Sequence, residues 1–151
     1  NQKLKINFKL FNTMIIQIKE EYKQILNSET VFKLLSEVLN TEDQVDREKE
    51  HFWVIYLNNK LQIQSLGLIS LGTLTASLVH PREVFRRAIM IGCAQIIIAH
   101  NHPSGDPTPS EDDILITQRL KKAGEFIGIE ILDHVIVAKE GYFSFANKKM
   151  L

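Results

Sequence analysis

Residues 95–113 read QIIIAHNHPSGDPTPSEDD, and the architecture follows from this stretch. Ile96, Ile97, Ile98 and Ala99 form a continuous apolar run. Such a run is the signature of a strand buried on both faces, and so of a sheet covered on both sides. It leads directly into His100-Asn101-His102. Alternate residues of an extended segment project to the same side, so the two imidazoles can converge on one metal ion. Pro103, Pro107, Pro109 and Gly105 stiffen and turn the loop that follows, and Ser110 opens a helix. Asp113 then falls in the first helical turn, where its carboxylate can supply a third ligand. Two imidazoles and one carboxylate leave a fourth tetrahedral position for water, which is how catalytic zinc sites differ from structural ones. The same residues also have a plainer reading. Ser110 followed three positions later by Asp113 resembles a capping box, and an acid in a first turn compensates the helix dipole.

Outward from this stretch, the pattern alternates between strand and helix. Pro81 suits the first position of a helix whose apolar stripe is Val84, Phe85, Ala88 and Ile89, with Gly92 at its end. Phe52 to Leu57 (FWVIYL) reads as a strand, and Asn58-Asn59-Lys60 as a hairpin turn into Leu61 to Ile69. After Ser110 the helix buries Ile116, Leu120, Ala123 and Ile127, and residues 129–137 and 142–145 form a hairpin around Glu140-Gly141. Near the start, Leu4, Ile6, Phe8 and Leu10 alternate as in a half-buried strand. Ile15, Ile18, Tyr22 and Ile25 recur at helical spacing, and Ser28 is the expected N-cap of a helix carrying Val31, Leu34, Leu35 and Val38. Residues 41–50, seven of them acids or bases, read as a solvated connection. The expected fold is α/β, a mixed central sheet flanked by helices. Residues 1–40 form an N-terminal strand and helix appendage packed on a domain spanning 41–151.

Composition narrows the function. The chain has 151 residues, 44% of them hydrophobic and 24% charged, as in an ordinary globular domain. Eighteen basic and eighteen acidic residues cancel, so no excess positive field is available to hold nucleic acid nonspecifically. Cys93 is the single cysteine, which excludes an internal disulfide and a four-cysteine zinc site and fits a reducing cytoplasm. Cys93 itself reads as a small core residue. No stretch approaches the ~18 apolar residues of a membrane span, and the N-terminus lacks a signal-peptide pattern. The chain opens at Asn1 rather than methionine, consistent with a further upstream domain.

The pattern His-x-His-Pro, six residues, Ser-x-x-Asp resembles the JAMM metalloprotease motif of JAB/MPN domains. SLGTLTASLVHPREVFRRAI, IIIAHNHPSGDPTPSEDDILITQRL, GIEILDHVIV and GYFSFA are similar to its RadC-type branch, from about Glu50 to the C-terminus. The resemblance implies a JAB/MPN, cytidine-deaminase-like architecture. It places His100, His102 and Asp113 on the zinc-ligand positions and Ser110 on the serine that helps hold the oxygen of the tetrahedral intermediate. It also implies an upstream glutamate as general base at the start of an early strand, the place Glu50 occupies. Glu83, in Pro81-Arg82-Glu83, is the rival for that role, and a first-turn acid has an ordinary electrostatic role as well. Asn101 stands where eukaryotic JAMM peptidases carry serine or threonine, although asparagine is usual in the RadC branch. The helix-hairpin-helix segment that often precedes RadC domains does not occur in this chain.

The implied activity is hydrolysis of a peptide or isopeptide bond by zinc-activated water, zinc bringing the pKa of its water to ~7 while a carboxylate moves the proton. The competing reading is a non-catalytic or DNA-repair-associated accessory domain, since RadC proteins are traditionally linked to DNA repair. A zinc deaminase would need His-x-Glu and a Pro-Cys-x-x-Cys pair, which one cysteine excludes. A metallo-β-lactamase-like site would want an aspartate where Ser104 stands. His134 reads as a packed histidine hydrogen-bonded within the sheet, His51 and His80 as structural or exposed, and Asp106 and Asp112 as solvated neighbours able to compete with Asp113.

Overall fold

The computed structural model describes residues 4–10, 12–75 and 78–151, with side chains from residue 19 onward apart from those at 76 and 77. Strands β1 (Leu4–Leu10) and β2 (Asn12–Ile18) pair antiparallel, Leu4 opposite Ile18. The alternating Leu4–Leu10 segment is therefore a strand, while the burial of its side chains lies outside the described residues. The helical spacing of Ile15, Ile18, Tyr22 and Ile25 does not produce a helix. Ile15 and Ile18 belong to β2, and Tyr22 ends a 3-10 turn, Glu20–Tyr22. Ile25 lies in extended chain, its N–H donating to the Leu61 carbonyl at 2.8 Å. The isoleucine-rich run suits a pleated strand, and pairing with β1 outweighs a periodicity of only four positions.

Helix α1 (Ser28–Asn40) begins one residue earlier than the Ser28 cap expected. Asn27 is extended and its side chain accepts the Thr30 N–H at 2.9 Å. Ser28 is the first helical residue, buried, with its Oγ taking a hydrogen bond from Asn147 Nδ2 at 2.8 Å. The charged connection holds one short helix, α2 (Gln44–Arg47). Then follow β3 (Glu50–Leu57), β4 (Ile63–Gly72), α3 (Pro81–Ile91), β5 (Gln95–His102), α4 (Glu111–Ile127), β6 (Glu130–Ala138) and β7 (Gly141–Ser144).

The main sheet has the order β4-β3-β5-β6-β7. β5 lies at its centre, antiparallel to β3 and parallel to β6, so the sheet is mixed and its middle strand is covered on both faces. One face carries Trp53, Ile55, Leu57, Ile97, Ala99, Val135 and Val137 against Val31, Leu34, Leu35 and Val38 of α1. The other carries Phe52, Val54, Tyr56, Ile96 and Ile98 against α3 and α4. Cys93 is buried in this second layer. Of the stripe expected on α4, Ile116 and Leu120 are buried and Ala123 partly so, but Ile127 is exposed because the helix ends there, at Gly128. α4 approaches the start of β6 so closely that a Cβ at Gly124 would collide with the Ile129 carbonyl oxygen. Among the described residues no helix is long and apolar enough to cross a membrane.

Candidate metal centre

Strand alternation decides which side chains meet. His100 follows Ile96 and Ile98 on the α4 side of β5, while Asn101 turns to the α1 side. In the β3–β5 ladder Phe52 is opposite His100. Two residues beyond this pair on each strand, Glu50 and His102 line the same cleft. α4 enters above this corner with Ser110 as its cap. Ser110 N–H donates to Asp113 Oδ2 at 2.7 Å and Asp113 N–H donates to Ser110 Oγ at 3.1 Å, a reciprocal capping box. The capping and ligand readings of Asp113 are therefore not alternatives, since one carboxylate serves both contacts. Oδ1 lies 3.0 Å from His100 Nε2 and Oδ2 lies 3.2 Å from His102 Nε2, and the two Nε2 atoms are 3.0 Å apart.

The donor set fits a metal ion. His102 Nδ1 is 2.9 Å from the Asp106 carbonyl, which only accepts, so neutral His102 keeps its proton there and presents a bare lone pair at Nε2. Lone pairs converging on an anionic carboxylate repel unless a cation lies among them. A tetrahedron with bonds of ~2.0–2.2 Å has edges of about 3.3–3.6 Å, so a small outward movement of the three ligands would admit an ion. Among the described residues, His100, His102 and Asp113 are the group able to hold a metal ion. Burial opposes the Asp113 charge, while the hydrogen bond from the Ser110 N–H favours it. Burial pushes His100 below its ordinary value, against the pull of Asp113.

Glu50 lines a cleft of about 330 Å³ together with His102, Pro103, Ser110 and Asp113. Its charge is felt by both imidazoles, and its Oε2 accepts the Leu74 N–H at 2.6 Å. Asn101 brackets it from the opposite face of the sheet. Asn101 Nδ2 donates to the Lys49 carbonyl at 3.0 Å, and its Oδ1 accepts the His51 N–H at 2.6 Å. The residue between the two histidines thus grips the backbone on both sides of Glu50. Glu83 lies elsewhere, paired with Arg86 at 3.2 Å beside a groove of α3 and α4. Asp106 accepts hydrogen bonds from the Thr108 N–H and hydroxyl, and Asp112 lines the cleft without joining the cluster. A larger cavity, about 650 Å³, lies around Ala94, Gln95 and Glu130, at the opposite end of β5, away from the cluster.

Two contributors escaped the sequence. His134, fully buried and stacked on Phe145, contacts His100 rather than only the sheet, with His134 Nε2 2.8 Å from His100 Nδ1. Thr117, one turn after Asp113, lies 2.6 Å from His134 Nδ1. Its position at i+4 from Asp113 is the only signal the sequence offers, and it resembles that of any buried helical threonine.

A mixed sheet whose central strand presents His-x-His to an aspartate at the start of a covering helix defines a JAB-type α/β domain able to bind a metal. The family model described as the RadC-like JAB domain matches residues 25–150. A UPF0758 protein of Desulforamulus reducens is 49% identical over 73% of this chain and 48% of its own length. Others from Caldanaerobacter subterraneus subsp. tengcongensis and Methanosarcina mazei are 41% and 38% identical over 95% and 93% of this chain, and 63% and 59% of theirs. The chain belongs to the RadC-like JAB family, and it spans about half to three-fifths of the length of these curated relatives. The match begins at Ile25, well before the motif-bearing region, and so takes in α1.

Proposed function

We propose that this domain is a cytoplasmic, zinc-dependent hydrolase of peptide or isopeptide bonds in a peptide or protein substrate, with His100, His102 and Asp113 as ligands. The observation that carries the reading is the convergence of these three side chains in one cleft with Glu50. Bound zinc would polarise the scissile carbonyl and make water acidic enough to serve as the nucleophile. Glu50, at the wall of the cleft, would accept a proton from the attacking water and return it to the departing amine. Its Leu74 and Asn101-anchored surroundings hold the carboxylate at the cleft wall. Ser110 Oγ already accepts from the Asp113 N–H, which leaves its hydroxyl proton free to donate to the oxygen that gains charge. The balanced charge supports a protein or peptide partner over DNA.

Zinc analysis and a panel of fluorogenic peptide and isopeptide substrates test this reading. Glu50→Gln should keep zinc and fold while turnover falls by a factor on the order of 10² to 10⁴. Zinc content without hydrolysis of any member of the panel would favour the second reading, an accessory, partner-binding domain. That reading draws on the apolar groove of about 490 Å³ formed by Pro81, Phe85, Ile89, Ala123 and Ile127.

A further inference from the structure

His134 and Thr117 ligate nothing, yet both are wholly buried behind His100, and with the imidazoles neutral their hydrogen bonds admit only one arrangement of protons that keeps every contact. The Thr117 hydroxyl has a single proton. It lies 2.7 Å from the Asp113 carbonyl oxygen, which can only accept, so the proton is committed there. The contact of 2.6 Å between Thr117 Oγ1 and His134 Nδ1 must then be a donation from the imidazole to the hydroxyl. A neutral His134 protonated at Nδ1 has a lone pair at Nε2. The 2.8 Å contact with His100 Nδ1 is accordingly a donation from His100. His100 in turn has no proton at Nε2, the atom that faces Asp113 and His102.

We propose that Thr117 is a positioning residue that acts through His134 to fix the tautomer of His100, so that its Nε2 lone pair is ready for the metal. The two histidines then reach the same state by different routes. His102 is anchored directly by the Asp106 carbonyl, and His100 is anchored by the Asp113 carbonyl through Thr117 and His134. The reverse order would require Thr117 to give up its bond to Asp113 and would place a proton on His100 Nε2, where it blocks coordination. A doubly protonated His134 would also reverse the order, and a charge buried completely against a second imidazole is costly. Partners of this kind orient a ligating imidazole and set its basicity.

The affinity part of this inference rests on the metal reading above; the tautomer part does not. Long-range proton–nitrogen spectra of the metal-free protein, labelled with ¹⁵N-histidine, should show His100 and His134 protonated at Nδ1. Thr117→Val keeps the shape but removes both hydroxyl contacts. It should move the His100 proton to Nε2 and weaken zinc binding about 10- to 100-fold in chelator competition, with Thr117→Ser recovering to within about threefold of wild type. A wild-type spectrum with His100 protonated at Nε2 overturns the proposal, whether or not the valine variant folds. So does a Thr117→Val protein with unchanged tautomers and zinc affinity within about twofold of wild type. Absence of zinc binding by the wild type, with the tautomers as described, would instead remove the metal reading and leave the proton order standing.

Discussion

The two faces of the central sheet are built from alternate residues of the same strands, yet they differ sharply in chemistry. Toward α1, Trp53, Ile55, Leu57, Ile97, Ala99, Val135 and Val137 present hydrocarbon and one indole. Toward α4 the same strands begin with Phe52, Val54, Ile96 and Ile98, but end in His100 and His134 beneath Asp113 and Thr117. Burying polar groups without partners is costly, and here hydrogen bonds hold the outer atoms of the cluster while Nε2 of His100 and His102 and Oδ1 of Asp113 are left to face one another. Among the described residues, the buried side-chain atoms that lack a partner, His51 Nε2, Arg87 Nε and Gln95 Oε1, lie outside it. The dry face therefore holds the fold, and the polar corner is held by hydrogen bonds around three ligand atoms that suit a cation.

The largest expected effect breaks the dry face. Trp53 is 1% exposed, and Trp53→Ala should cost about 3–5 kcal/mol in urea unfolding. Protein that remains folded should still take up zinc, because the indole lies on the far side of the sheet from the cluster. A parallel loss of zinc per folded molecule would mean that the two faces are not separable. Next in size, Asp113→Ala should weaken zinc by about two orders of magnitude, roughly 2.7 kcal/mol. It should also cost about 1 kcal/mol of stability through the lost capping box. Asp113→Asn separates the two roles. An amide oxygen can still accept the Ser110 N–H, so stability should largely return while zinc affinity remains low. Equal zinc affinity in wild type and Asp113→Asn would reduce Asp113 to a cap.

Much of this was legible in the sequence because strand alternation and capping are local. The buried Ile96–Ala99 run, the His-x-His spacing and the Ser110–Asp113 pair each depend on neighbours within a few positions. What could not be read was long-range. β2 was obscured because Ile15 and Ile18 fall in step with Tyr22 and Ile25 as a helical stripe, and only pairing with β1 shows the first two to be in a strand. His134 is 34 residues from His100, and nothing local distinguishes a packed histidine from one bonded to a ligand. Gly124 likewise looks like a tolerated helical glycine until the approach of the Ile129 carbonyl is seen, and Gly124→Ala should cost about 1–3 kcal/mol by overpacking.

Asn101 sharpens the comparison further, because it lies between two ligands yet faces the other way. Asn101→Ala leaves the His51 N–H without its 2.6 Å partner and should cost about 1–3 kcal/mol. Zinc affinity should change little, since neither imidazole is touched. Turnover should fall as Glu50 loses the grip on its flanking residues. A variant that loses zinc as fully as Asp113→Ala would place Asn101 in the metal site itself.

Glu83 provides the smallest effect and the cleanest control for the polar corner. It is a first-turn acid of α3, paired with Arg86 across one helical turn at 3.2 Å, with both side chains well exposed. Surface pairs of this kind contribute at most about 1 kcal/mol, and first-turn acids a comparable amount. Glu83→Gln should therefore shift stability by about 0.5 kcal/mol or less and leave zinc affinity and turnover at wild-type values. Glu50→Gln should do the reverse, holding stability and zinc while turnover collapses. The contrast follows from geometry, since the two carboxylates belong to different elements, one in the cleft with His102 and the other beside the apolar groove of α3 and α4. Loss of turnover in Glu83→Gln with full activity in Glu50→Gln would move the general base to α3, and the proposed proton transfer at the cleft would have to be abandoned.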